Sequence, residues 1–273
     1  MKILSISEQP SWCLPFLNAG KGPGGFYRET LPVQTGLVDR LPEGLDALIA
    51  TADLQGRETF ESACGGPLLL LGEVLPQILV DEILPSLGIE AQRAGVVLAG
   101  DLYTVPALDK RGGSGDVTPV WQAFGREFQW VTGVAGNHDT FGNLDRPASR
   151  MGKNIHYLDG EEVELSGLRI AGISGIVGNP RRRQRKTDQQ FVASLEKCIH
   201  DDLDILVMHD GPGIPEQGLK GSALIRMTVD ALPPKLIIRG HAHWDTARAT
   251  LPGGTDVLNV DGRVVILQAN GKK

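Results

Sequence analysis

A chain that repeats a short, nearly unbroken apolar run and stops it on a polar residue has few folds open to it. The runs are MKILSIS (1–7), LDALIATAD (45–53), AGVVLAGD (94–101), FQWVTGVAGNHD (128–139), LRIAGISGI (168–176), LDILVMHD (203–210), PKLIIRGHAH (234–243) and DVLNVDGRVVILQ (256–268). Their length, their β-branched residues and their lack of strict alternation predict strands buried on both faces. Helical patterns lie between some of them. GEVLPQILVDEILPSLGIEAQ predicts a helix that its prolines kink or divide. TDQQFVASLEKCIHDD predicts a helix opened by a capping box of Thr187 and Gln190, with Phe191, Leu195 and Cys198 or Ile199 in one apolar stripe. Strands alternating with helices predict an α/β domain. The turns LPGG and NVDGR predict antiparallel hairpins in the last stretch. Residues 9–44 and 106–119 read as loops inside one domain spanning 1–273, because strand patterns continue on both sides of each.

The residues that end these runs carry the chemistry. They are Asp53, Asp101, Asn137 with His138, His209, and His241 with His243; four of the six histidines are among them. Ligands of open α/β sheets bind beyond the carboxyl ends of the strands, so these side chains are expected to converge on one edge. Each has a plain reading on its own. Gly-Asp is a common strand end, a single histidine is an ordinary hydrogen-bonded residue, and GNHD is a turn whose Gly and Asn tolerate positive φ. Taken together and in order, oxygen and imidazole donors on short turns suit two divalent cations bridged by one carboxylate.

Composition removes several other classes. The net charge is −6 and aromatic residues make up 5% of the 273, which leaves little for phosphate backbones or stacked bases and argues against a nuclease. Cys13, Cys64 and Cys198 are odd in number and scattered, so a disulfide framework is not expected and a reducing cytoplasm is. MKILSISEQPSW lacks the apolar run of a signal peptide, and PLLLLGEVLPQILV is broken by Gly, Glu and Pro, so no membrane span is expected.

The order GD…GNHD…H…GHAH resembles the calcineurin-like metallophosphoesterases, from about Leu45 to the C-terminus, with residues 1–44 left as an N-terminal extension. GNHD and GHAH are the specific motifs; GD is not. The resemblance implies a four-layer αββα sandwich of two mixed sheets flanked by helices, with a two-metal site at the strand ends. It implies that Asp101 bridges the metals, that Asp53, Gln55 and His243 complete one site, and that Asn137, His209 and His241 complete the other. It implies that His138 faces the substrate rather than a metal. Asp139 reads equally as a partner that orients His138 or as a turn cap. Two such ions, roughly 3.5–4 Å apart, lower the pKa of a bridging water and hold a phosphoester in line for attack. Two carboxylates against two divalent cations leave the site positive, which suits a phosphorylated small molecule or a nucleotide.

Gln55 departs from the family pattern Asp-x-His. Aligning the motif at SISEQP instead would put Glu8 and Pro10 at the two ligand positions, and proline cannot bind a metal. An amide oxygen is neutral like imidazole but harder, so a ligating Gln55 favours Mn²⁺ over Zn²⁺ or Fe, with Mg²⁺ also suited. The other reading is that Gln55 reaches no metal. GNPRRRQRKTDQQ (178–190) is the one strongly basic run. Its Arg181, Arg182 and Arg183 read either as a solvated loop or as a clamp on a second phosphate. The expected activity is phosphoester hydrolysis, monoester or diester. A non-catalytic scaffold of the same fold that binds a protein partner is the reading from another class.

Overall fold

The computed structural model describes residues 1–22, 24–59, 68–142 and 151–271. Among these the strands of the two main sheets are β1 (Ile3–Ile6), β2 (Trp12–Asn18), β3 (Tyr27–Val38), β4 (Ala47–Ala52), β5 (Gly56–Arg57), β6 (Ala94–Leu98), β7 (Trp130–Gly133), β8 (Ile155–Tyr157), β9 (Glu161–Leu165), β10 (Leu168–Ile173), β11 (Ile205–Met208), β12 (Leu236–Arg239), β13 (Arg248–Thr250), β14 (Asp256–Asn259) and β15 (Arg263–Ala269). The principal helices are α1 (Leu71–Ile78), α2 (Thr118–Glu127), α3 (Asp188–Cys198) and α4 (Ala223–Ala231).

The first sheet runs β8-β7-β6-β4-β15-β3-β2-β5, with β1 added to β3. The second runs β9-β10-β11-β12-β14-β13. The motif-bearing strands are parallel to their neighbours, β4 with β6 and β6 with β7 in one sheet, β11 with β12 in the other. Their carboxyl ends therefore lie at the same edge of each sheet.

Side-chain alternation decides what each face meets. In the first sheet Ile49, Val96, Leu98, Val131 and Ile266 pack with Leu71, Leu75, Val120 and Phe124 of α1 and α2. Their neighbours Leu48, Ala50, Val97 and Val265 point the other way and share a cluster with Ile170, Ile205, Val207, Ile238 and Leu258 of the second sheet. On the far face of that sheet Ala171, Leu206, Met208, Ile237 and Val257 meet Phe191 and Leu195 of α3 and Ile225 and Val229 of α4. This double burial is why the strands read as near-continuous apolar runs.

The capping box forms as the sequence predicts: Thr187 N–H donates to Gln190 Oε1 (2.9 Å) and Gln190 N–H to Thr187 Oγ1 (3.2 Å). The proline-bearing helix is divided, with α1 passing into a π turn at Leu79–Ile83 and a short helical turn at Leu84–Ser86. Cys13 is exposed and Cys198 buried, both free; Cys64 lies outside the described residues.

Two expectations are corrected. Residues 9–44 are not a loop, because β2 and β3 pair antiparallel from Trp12↔Val33 to Asn18↔Tyr27 and β3 also pairs parallel with β15. NVDGR does not close a hairpin. LPGG does, between β13 and β14, but after β14 the chain leaves the second sheet and β15 enters the first between β3 and β4. The apolar runs on both sides of the turn are alike, so the sequence does not signal the change of sheet.

Replacing Thr187 with alanine removes one acceptor from the α3 N-terminus. It should cost about 1 kcal/mol of stability. Urea unfolding checks this, with the midpoint lowered and the slope unchanged.

Candidate metal centre

The strand ends converge as predicted. Asp53 and Gln55 follow β4, Asp101 follows β6, Asn137 and His138 follow β7, His209 follows β11, and His241 and His243 follow β12. Bonds that join the two sheets here include His209 Nδ1 to Ala99 O (2.8 Å) and His241 N–H to Asp53 Oδ2 (2.9 Å). Three of these residues hold the left-handed backbone, Asp53 (φ 55°), Asp101 (φ 56°) and His241 (φ 70°). That conformation costs roughly 1 kcal/mol or more each for a non-glycine residue, so strain gathers where the side chains must turn inward. Gly100 has φ 90°, and a Cβ there would lie 2.4 Å from the Gly136 nitrogen and 2.8 Å from His209 Nδ1. The site cannot close around a larger residue at that position.

Asp101 lies at the centre. Its Oδ1 accepts the His138 N–H (2.8 Å), while its Oδ2 accepts Gln55 Nε2 (3.1 Å). His209 Nε2 lies 3.3 Å from the same Oδ2, off the line of a hydrogen bond. Because Nδ1–H of His209 donates to Ala99 O, Nε2 is the nitrogen that faces the site. Donor atoms of Asp101, His209 and His241 all lie within 4.8 Å of one another.

Of the eight buried polar side-chain atoms without a hydrogen-bond partner among the described residues, three are Asn137 Oδ1, His138 Nδ1 and His209 Nε2. A buried polar atom left unpaired costs roughly 1–3 kcal/mol, and two of these three belong to proposed ligands. The electrostatics agree. Burial raises the Asp53 carboxyl well above its usual range; the His209 charge opposes this, and Asp261 and Asp101 add to it. Burial alone would lower His209, but the charge of Asp101 overcomes it and pushes His209 up to about 10. Anionic groups pressed together out of water, beside unpaired O and N donors, form a set that a divalent cation satisfies.

Gln55 reaches the site, but through a hydrogen bond from its amide nitrogen to Asp101 rather than through a free oxygen. His243 turns Nδ1 to Asp261 Oδ2 (3.1 Å), leaving Nε2 for a ligand. Asp261 was not singled out from sequence, because NVDGR reads as a turn; the apolar run that it ends is the available signal. Asp53, Gln55, Asp101, His138, His241, His243 and Asp261 line one cavity of about 430 Å³.

Of the two readings of Asp139, the turn cap is the one its hydrogen bonds match. Asp139 does not orient the His138 ring. Its buried carboxylate accepts N–H groups of Asp101, Leu102 and Gly136, each at 2.8 Å. Burial and the Asp101 charge push its pKa up to about 6 against those donors. Arg181, Arg182 and Arg183 are exposed on their loop, and none is among the residues that line the cavity.

The description of calcineurin-like phosphoesterases matches residues 48–245. The chain belongs to the calcineurin-like phosphoesterase family. Among solved structures it is similar to TT1561 of Thermus thermophilus, at 15% identity and TM-score 0.52, covering 80% of this chain and 89% of that one. A second is the phosphopantetheinyl hydrolase of Mycobacterium tuberculosis, at 13% identity and TM-score 0.48, covering 80% and 90%. A third is the GAP50 anchor of the Plasmodium inner membrane complex, at 13% identity and TM-score 0.43, covering 79% and 71%. No curated protein matches the chain. Among the described residues no helix is long and apolar enough to cross a membrane.

Asp139→Asn replaces a carboxylate oxygen by an amide that opposes the surrounding N–H donors. It should cost about 2–3 kcal/mol in urea unfolding and weaken Mn²⁺ binding in calorimetry. A variant as stable as the parent would contradict the bracing role.

Proposed function

We propose that this chain hydrolyses a phosphoester with two divalent cations. The observation that carries the reading is the convergence of Asp101, His209 and His241, whose donor atoms lie within 4.8 Å of one another at the strand ends. Asp101, Asn137, His209 and His241 would hold one ion. Asp53, Gln55 and His243 would complete the other, with Asp101 shared. When bound, such a pair polarises the phosphoryl group and lowers the pKa of water. Manganese fits the oxygen-rich half, where Gln55 replaces an imidazole. Gln55 would then turn its amide so that oxygen faces the ion.

The protein's own groups do the rest. His138 lines the cavity without being needed as a ligand, and its backbone is fixed by Asp101 Oδ1. There it binds the phosphoryl oxygens and gives a proton to the departing oxygen. Asp139 acts one step back, by holding the backbone of Asp101 and Gly136 in place. The three apolar clusters support the αββα order of four layers in one domain. The scattered cysteines support a cytoplasmic location, and the cavity's size supports a phosphorylated small molecule or nucleotide as substrate.

The test is turnover of p-nitrophenyl phosphate and bis(p-nitrophenyl) phosphate as Mn²⁺ is titrated into metal-stripped protein. Rates should rise with Mn²⁺, and His138→Ala should lower kcat about 10²–10⁴-fold. The ratio of the two rates identifies the ester class. Folded protein that is inactive with every divalent metal would instead support the non-catalytic scaffold.

A further inference from the structure

The family match begins at residue 48, yet one wall of the cavity comes from earlier in the chain. Phe16 and Asn18 of β2 and Glu29 and Thr30 of β3 line it. Strand pairing puts them there. Asn18 pairs with Gly56, the residue after Gln55, and Phe16 pairs with Glu29. A Cβ on Gly56 would lie 2.2 Å from the Phe16 ring, so the hairpin sits directly against the ligand loop.

The hairpin is tied down at its far end as well. Gly20 N–H donates to Leu108 O and Gly22 N–H to Asp109 O, both at 3.1 Å. Arg111 donates to Ala19 O (3.0 Å) and to the Tyr27 hydroxyl (2.6 Å), with its guanidinium 5.3 Å from the Tyr27 ring centroid. Asn18 is used at both ends of its amide: Nδ2 donates to Glu29 Oε2 (2.5 Å) and Oδ1 accepts the Ala19 N–H (2.7 Å). Glu29 therefore presents a positioned carboxylate to a cavity whose chemistry otherwise calls for an anion. Asp261 adds a second carboxylate to the lining.

A negative group in this place repels a second phosphate and attracts a cation. Resting on the phosphoesterase reading, we infer that Glu29 selects phosphoesters whose leaving alcohol carries an ammonium group. Phe16 also lines the cavity, but its ring is buried in the core against Gly56. The reaction is ordinary hydrolysis. A water oxygen bonds to phosphorus, the ester P–O bond breaks, the leaving oxygen takes a proton, and the ammonium group is unchanged.

Three esters test this with the Mn²⁺-loaded full chain: phosphoethanolamine, its uncharged analogue n-propyl phosphate, and p-nitrophenyl phosphate. The parent protein should show a lower KM for phosphoethanolamine than for n-propyl phosphate. Glu29→Gln should raise KM for phosphoethanolamine about fivefold, the scale of one partly exposed ion pair. It should leave KM for the two uncharged leaving groups equal or lower, because repulsion of their phosphate is relieved. Glu29→Asp should restore part of the preference. A merely structural role would move all three substrates the same way. Equal KM values in the parent, or a Glu29→Gln change of one sign for all three, overturns the inference while the phosphoesterase reading stands. If none of the three monoesters is turned over but bis(p-nitrophenyl) phosphate is, this inference is overturned and the phosphoesterase reading stands; if that diester also fails, both fall.

Discussion

Three backbone N–H groups from two different strand-end loops point at one buried carboxylate, that of Asp139. Together with the His138 N–H to Asp101 Oδ1 bond, it ties the Asp101 turn after β6 to the Gly136 turn after β7. With it, Asp101 is placed so that one oxygen fixes the His138 backbone and the other faces Gln55 and His209. The placement of Asp101 and of the turn that carries Asn137 rests on this bond set. The second sheet is brought in by two further contacts, His209 to Ala99 and His241 to Asp53.

These contacts hold an arrangement that is unfavourable in isolation. Asp53, Asp101 and His241 keep left-handed backbones, and burial drives Asp53 towards its neutral form. Asn137 Oδ1 and His209 Nε2 have nothing to bond. A folded protein keeps strain and unpaired donors together where the surrounding structure over-determines them. Two cations would relieve repulsion and unpaired acceptors at once, which links the fold's cost at this edge to its chemistry.

Much of this was legible in the sequence, for a physical reason. Strands buried on both faces are apolar throughout, so a polar residue at their end stands out, and the residues from Asp53 to His243 were found that way. The β2–β3 hairpin was hidden because half of β3 is exposed and its alternation is broken by Pro32, with Pro15 on β2. Both prolines are tolerated where one strand edge lacks a partner: β5 covers only Leu17 and Asn18 of β2, and β15 begins opposite Val33 of β3. Asp139 was open to two readings because a turn cap and a positioning carboxylate look alike until the donors are known. Asp261 was missed because Asp-Gly is also a common turn dipeptide. For the arginine loop, charge alone does not tell which way a loop leaves the sheet.

The central claim is that Asp101 joins two cations in one site built from both sheets. Anomalous scattering from crystals grown with Mn²⁺ tests it most directly. The account predicts two peaks roughly 3.5–4 Å apart, on either side of the Asp101 carboxylate, one beside Asn137, His209 and His241 and the other beside Asp53, Gln55 and His243. A single peak, or none within reach of Asp101 at saturating Mn²⁺, would contradict it.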